Sequence, residues 1–168
     1  MQPKNDMSPK LPLRVVGLLV KDGKVLLGKR TEGIGENNYV GIGGKAEKDE
    51  TPAETLVREV KEEIGVAITS FTQIGDLNFF FPFQEEGKRW DQNVIVFICT
   101  EWTGEIRQME TIIPEWFELN SLPLQYMWHD AEIWMGQCLN GYYIRGDFIY
   151  NKDFRLESWD VSATQPAA

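Results

Sequence analysis

Glu59, Glu62 and Glu63 stand at i, i+3 and i+4 in the run REVKEEIG, and on a helix that spacing gathers three carboxylates on one face. By itself the grouping is unfavourable. Like charges four residues apart cost a helix about 0.2–0.5 kcal/mol per pair, and these lie toward a helix C-terminus, where the dipole disfavours anions. Partial burial adds to the cost. A divalent cation removes these penalties, and an all-oxygen donor set completed by water and phosphate oxygens is what Mg²⁺ or Mn²⁺ prefers. A run such as KEE is usually no more than a solvated helix face, so the surrounding pattern has to decide.

The helix that carries these residues is well punctuated. Thr51 suits the N-cap, Pro52 the first helical position, Glu54 the far side of a capping box, and Gly65 a left-handed C-terminal stop, which predicts a helix over 52–64. Ala53, Leu56, Val57, Val60 and Ile64 form the apolar stripe that packs on a sheet; Glu59 and Glu63 border it, and Glu62 lies further toward solvent. The cluster therefore flanks the core at a cleft edge. Strand signals dominate elsewhere. LRVVGLLV and KVLLGK flank Asp22-Gly23 as a hairpin, YVGIG near 39–43, DLNFFFPF near 76–83 and NVIVFICT at 93–100 read as strands, and GYYIRGDFIY at 141–150 reads as a second hairpin turning near Gly146. A second helix is expected at roughly 130–139, from Ile133, Trp134 and Leu139. Strands interrupted by two helices without regular alternation predict an α+β fold, a mixed-sheet sandwich. One domain is expected over 13–160, between a flexible arm at 1–12 and a tail at 161–168.

The wider spacing is more specific than the helix. Gly44, five residues, Glu50, seven residues, Arg58-Glu59-Val60, one residue, Glu62-Glu63, one residue, Gly65-Val66 matches the Nudix box without a gap. Seven fixed residues arise by chance at ~10⁻⁸ per start position at average amino-acid usage. The chain resembles the Nudix hydrolases over about residues 13 to 160, and among them the MutT-type oxidised-purine nucleoside triphosphatases, on VLLGKR, GIGGK, CTEWTGE, PEWFEL, SLPLQYMW and the closing GYYIRGDFIYNKDFRLESWDV. The resemblance implies an α/β/α sandwich with the box as loop–helix–loop and a second, C-terminal helix. It implies hydrolysis of a nucleoside diphosphate linked to a further group, here Mg²⁺-dependent cleavage of purine nucleoside triphosphates to monophosphate and pyrophosphate, with Mn²⁺ as a substitute metal.

By the same resemblance Glu59, Glu62, Glu63 and the Gly44 carbonyl hold the metal, Arg58 steadies a helix carboxylate, Glu50 orients the site, and either Glu62 or Glu63 takes the proton from the attacking water. Trp128 and Asp130 correspond to the residues that stack on and read the base, Phe79 to an aromatic beside it, and Arg30 to a position near the substrate. Three positions depart from the family: Val40 and Ala131 are apolar where it has polar base readers, and Thr111 replaces a late glutamate. Each lost reader removes discrimination of ~1–3 kcal/mol. ADP-ribose, another nucleotide sugar or a capped nucleotide is therefore the alternative substrate, and a catalytically silent nucleotide sensor the alternative of another class.

Composition narrows the partners. A net charge of −9 over 168 residues argues against a nucleic-acid polymer or an anionic membrane, which need basic surfaces. No apolar stretch reaches the ~18–20 residues of a membrane span, and MQPKNDMSPKLPL lacks the apolar core of a secretory signal. Two cysteines, Cys99 and Cys138, are too few for a disulfide framework and fit a reducing cytoplasm. The single histidine, His129, supplies zinc chemistry and histidine triads poorly. A monomer acting on a small nucleotide is the expectation.

Overall fold

Residues 10–33 and 35–165 are described by the computed structural model; the first nine residues of the expected arm and the last three of the tail lie outside them. The elements run β1 (Leu13–Lys21), β2 (Lys24–Arg30), β3 (Tyr39–Val40), β4 (Ile42–Lys45), α1 (Pro52–Ile64), β5 (Ala67–Phe80), β6 (Gln92–Thr103), β7 (Ile112–Glu118), α2 (Ala131–Leu139), β8 (Tyr143–Tyr150) and β9 (Leu156–Thr164). Asp22 and Gly23, both at positive φ, turn β1 into β2 as the sequence requires. The sheet is mixed: β1 pairs parallel to β6 and β5 parallel to β8, within the order β3-β2-β1-β6-β5-β8-β9, while β4 pairs with β1 and β7 with β2.

Strand alternation divides the apolar residues between two clusters. Val15 and Leu19 of β1, Leu26 of β2, and Ile95 and Phe97 of β6 pack with Leu56, Val60 and Ile64 of α1. Their neighbours Leu18, Val25, Leu27, Val94 and Val96 pack instead with Trp134, Met135 and Cys138 of α2. One helix therefore covers each face, and the α+β sandwich is the observed architecture. Each fully buried aliphatic side chain on these faces contributes about 1.5–3 kcal/mol of transfer free energy.

Local punctuation of α1 holds in every detail. Thr51 Oγ1 accepts from the Glu54 amide at 3.1 Å, Glu54 Oε1 accepts from the Thr51 amide at 3.2 Å, and Gly65 stops the helix at a φ of 80°. The apolar stripe differs by one residue: Thr55 is buried and Val57 is exposed. Thr55 can enter the core because its hydroxyl donates to Glu50 Oε1 at 2.8 Å and to the Thr51 carbonyl at 2.9 Å.

Three expectations about strands are corrected. GYYIRGDFIY is no hairpin: β8 runs straight through Gly146, and the chain reverses at 151–155 before β9. Gly146 supplies room, since a Cβ there would lie 3.0 Å from Val161 Cγ2 and 3.1 Å from Phe148 Cε2. Strand β5 starts at Ala67, well before residue 76, and register shifts between Ile68 and Gly75 break the apolar alternation that would have marked it. Strand β9 continues to Thr164, which pairs with Tyr143, past the anticipated end of the domain at 160.

Candidate active site

Arg58 organises the acidic face of α1. Its Nε and Nη2 donate to the two oxygens of Glu50 at 2.7 and 2.9 Å, Nη1 donates to Glu59 at 3.0 Å and Glu62 at 3.2 Å, and Nη2 also donates to the Lys45 carbonyl at 3.0 Å. Glu50 further accepts from the Glu47 amide. The bidentate pair dominates its electrostatics: hydrogen bonding to Arg58 lowers the Glu50 pKa to about 2. Glu50 thus aims the guanidinium, and the guanidinium aims the carboxylates.

Burial differs along the face as the helical angles require. The Glu59 side chain is 14% exposed and that of Glu62 58%. Burial pushes the Glu59 pKa up, the charges of Glu62 and Glu63 push the same way, and Arg58 opposes both. Glu63 Oε2 accepts from the Thr111 hydroxyl at 2.9 Å, so the residue in place of the late glutamate holds a box carboxylate. Thr111 is itself tied to the end of β2, because its carbonyl accepts from the Thr31 amide and hydroxyl, both at 3.1 Å.

The donor set fits a hard divalent cation. Glu59 Oε2, Glu62 Oε1 and Glu63 Oε1 have no protein donor among the described residues, and all are oxygens on one helix face. Gly44 forms a cradle for Glu59: a Cβ at residue 44 would fall 2.5 Å from Glu59 Oε2. Among the described residues no three acidic, His or Cys side chains converge on one point, because Glu59 and Glu62 lean on Arg58 while Glu63 leans on Thr111.

Beside this edge opens a cavity of about 610 Å³, in the range of small-molecule sites. Gly43, Gly44 and Lys45 line it together with Trp128, Phe79 and Tyr150. Phe79 is buried and stacks on Phe148 at 5.1 Å, so it supports the floor. Arg30 and Arg14 both line the wall. Arg30 Nε is buried without a hydrogen-bond partner among the described residues. Burial, and then the neighbouring Arg30 charge, lower the Arg14 pKa, with Glu59 opposing. Among the described residues neither guanidinium has a salt-bridge partner, which in a chain of net charge −9 leaves a place for an anion. Val40 and Ala131 present apolar groups to the same cavity.

Asp130 lies deeper than a free base reader would. It is 6% exposed, one carboxylate oxygen accepts from the Tyr150 hydroxyl, and the other accepts from Trp134 Nε1 at 2.7 Å. Burial raises its pKa against the pull of these two bonds. The side chain makes no helix-capping bond. When ionised, its spare lone pairs are acceptors, so in that form it can meet an N–H of a ligand without giving up either partner. His129 is exposed, and Cys99 and Cys138 are free, buried thiols whose pKa burial pushes to about 12.

Of the box residues singled out from the sequence, Gly44 lines this cavity together with Trp128, Phe79, Asp130 and Arg30; Glu59 rests against Gly44, Glu50 and Arg58 line a separate pocket, and Glu62 and Glu63 line neither. Arg14, Tyr150, Trp134 and Trp90 were missed. No local signal marks them, since β1, α2, β8 and the 81–91 loop converge only through long-range sheet pairing.

Comparison with known proteins identifies the family and the fold. The family model described as the NUDIX domain matches residues 11–136. An oxidized purine nucleoside triphosphate hydrolase of Danio rerio is 32% identical over 117 residues, 70% of this chain and 72% of its own length. The Mus musculus protein of the same name is 26% identical over 144 residues, 86% of this chain and 90% of its own length. Among solved structures, a MutT protein from Bacillus halodurans superposes with a TM-score of 0.75 over 90% of this chain and 98% of its own, at 24% identity, a likeness of fold.

Proposed function

This chain belongs to the NUDIX domain family, and we propose that it hydrolyses purine nucleoside triphosphates, oxidised ones included, to the monophosphate and pyrophosphate. The observation that carries this reading is the continuity of the cleft: one cavity runs from the aromatic group at Trp128 to Gly44, against which the Glu59 carboxylate rests. A base at one end and a phosphate chain at the other match those two chemistries.

In this reading Trp128 stacks on the purine, Phe79 supports the floor, and Asp130 accepts from a base N–H. Arg30, with Arg14 beside it, meets phosphate oxygens, and the buried Arg30 Nε gains the partner it lacks. Glu59, Glu62 and Glu63, with the Gly44 carbonyl, hold Mg²⁺, or Mn²⁺ in its place; such an ion neutralises phosphate charge and lowers the pKa of water. Arg58, fixed by Glu50, keeps Glu59 and Glu62 in place, and Thr111 does so for Glu63. Glu62 or Glu63 accepts the proton from attacking water; Glu63 sits on the buried side of the face and Glu62 on the exposed side. The acidic chain approaches an anionic substrate through bound cations and the few cationic side chains that line the cavity, Arg14, Arg30, Lys45 and Arg89, which suits a small nucleotide and disfavours a nucleic-acid polymer. Among the described residues no helix is long and apolar enough to cross a membrane. The two buried free thiols suit a reducing cytoplasm, and a monomer completes the proposal.

Apolar Val40 and Ala131 in the cavity wall favour one second reading, the same chemistry on ADP-ribose or another nucleotide sugar. Release of pyrophosphate and of phosphate, with Mg²⁺ and with EDTA, across dGTP, 8-oxo-dGTP, dATP, 2-hydroxy-dATP and ADP-ribose separates them. The proposal expects pyrophosphate from triphosphates, with an oxidised base preferred by about tenfold, or about 1.4 kcal/mol. Faster cleavage of ADP-ribose establishes the second reading. No metal-dependent hydrolysis of any of the five refutes both.

A further inference from the structure

Resting on the reading that the base stacks on Trp128, we propose that Trp90 is a second aromatic wall of the base site, set across the edge of the base, and that Phe154 is the wedge that holds both indoles in place. Trp90 lines the cavity together with Trp128. Phe154 lies nearly parallel to Trp90, with centroids 5.3 Å apart and planes at 27°, and nearly perpendicular to Trp128, at 6.3 Å and 78°. The two indoles therefore stand at a steep angle and form a corner. A base lying flat on Trp128 is steeply inclined to the Trp90 plane, and since Phe154 covers one face of Trp90 the proposal sets the base edge against the other.

Both elements behind the corner are built to hold it. On the 81–91 loop, the Trp90 amide donates to Gln84 Oε1 at 2.7 Å, Arg89 Nε donates to the Gln84 carbonyl at 3.2 Å, and the Phe81 amide donates to Asp91 Oδ1 at 2.7 Å. Phe81 meets Trp90 edge-on at 5.7 Å. In the turn between β8 and β9, Asn151 Oδ1 accepts from the amides of Asp153 and Arg155. Phe154 itself has a φ of 55°, a left-handed conformation costly for a bulky residue. Its packing on Phe83, Trp90 and Trp128 is what offsets that cost.

The chemistry of the corner follows from the indole quadrupole. Its face is electron-rich, so it attracts the hydrogen-bearing edge of a base and disfavours a carbonyl oxygen. With Val40 and Ala131 also apolar, discrimination at this edge comes from shape and edge hydrogens more than from hydrogen-bond donors on the protein. The ligand class is a purine nucleotide with N–H or C–H groups on the edge that faces Trp90.

The test is steady-state hydrolysis of dGTP, 8-oxo-dGTP, dATP and 2-hydroxy-dATP by the full chain and by W90A, W90L, W90F, F154G and W128A, each checked by thermal unfolding. W90A and W90L are expected to raise KM by about three- to tenfold while kcat changes less than about twofold, a range set by edge-to-face aromatic energies. The spread of kcat/KM across the four purines should shrink. W90F should restore most of both. F154G, which also removes the φ strain, should move KM in the same direction as W90A. If W90A does not fold, W90L decides. A wild-type KM and an unchanged spread in W90A or W90L, with W128A raising KM, overturn the assignment of Trp90 and leave the base on Trp128. An equal KM rise for all four purines overturns the discriminating role. A wild-type KM in W128A itself overturns the platform reading and the Trp90 wall with it.

Discussion

Replacing Gly44 by alanine isolates the contact between the cavity and the carboxylate helix. A Cβ at residue 44 would lie 2.5, 2.6 and 2.8 Å from Oε2, Cδ and Oε1 of Glu59, distances that real contacts do not reach. The carboxylate must retreat by roughly 1 Å to restore van der Waals separation, and a misplacement of that size at a reacting centre costs on the order of 100-fold in rate. Stability should change little, because Gly44 is not at positive φ and the obstructed atoms end a flexible side chain. G43A is the contrast: its Cβ would fall 2.1 Å from the Val15 carbonyl oxygen, in the backbone of β1, so the sheet itself must deform. The assay is pyrophosphate release at saturating triphosphate alongside urea denaturation. G44A should keep its unfolding midpoint and lose about two orders of magnitude in kcat, whereas G43A should lose stability first. Full activity in folded G44A would refute the claim that the Glu59–Gly44 contact belongs to the catalytic site.

Other perturbations probe separate parts of the cleft. Because Arg58 holds the folded-state pKa of Glu50 down to about 2, the stability Glu50 contributes is complete above its ordinary value of 4.5 and disappears as pH falls toward 2. The urea-measured stability gap between wild type and E50Q should therefore narrow across that window; a gap that widens on acidification contradicts the pairing. Y150F removes a donor to the buried Asp130 carboxylate and should cost about 1–3 kcal/mol in urea denaturation; an unchanged midpoint would show that the bond contributes nothing. T111V should weaken Mn²⁺ binding measured by electron paramagnetic resonance by about three- to tenfold, roughly the net worth of one ordinary intramolecular hydrogen bond, and T111S should restore it. Tighter binding in T111V would mean that the hydroxyl competes with the metal.

The legible parts of this molecule are the local ones. The cap at Thr51, the stop at Gly65 and the graded exposure of Glu59 and Glu62 follow from helical geometry within a short span of chain, and all three match expectation. Asp22-Gly23 is equally local. Gly146 misleads because a glycine inside a strand signals a turn unless its partner across the sheet, Val161, is known. Strand β7 is invisible for a similar reason: only its pairing with β2 identifies IIPEWFE as a strand. At the site, the box was readable because one short continuous stretch, from Gly44 at the end of β4 through α1 to Val66, contains it. The burial of Asp130 was less so: Trp134, one turn along α2, is a local donor to its carboxylate, but the other donor, Tyr150, comes from β8, twenty residues away. Residues that meet through the sheet carry no mark in a single sequence.

The most direct test of the whole account is Mg²⁺-dependent turnover of a purine nucleoside triphosphate by the E62Q/E63Q double variant, with far-ultraviolet circular dichroism to verify its fold. Both substitutions keep side-chain volume and remove two of the three charges on the acidic face. The account predicts a folded protein whose turnover has fallen by about a thousandfold or more, about 4 kcal/mol in the barrier. Turnover equal to wild type in a folded double variant would contradict it and place the chemistry elsewhere.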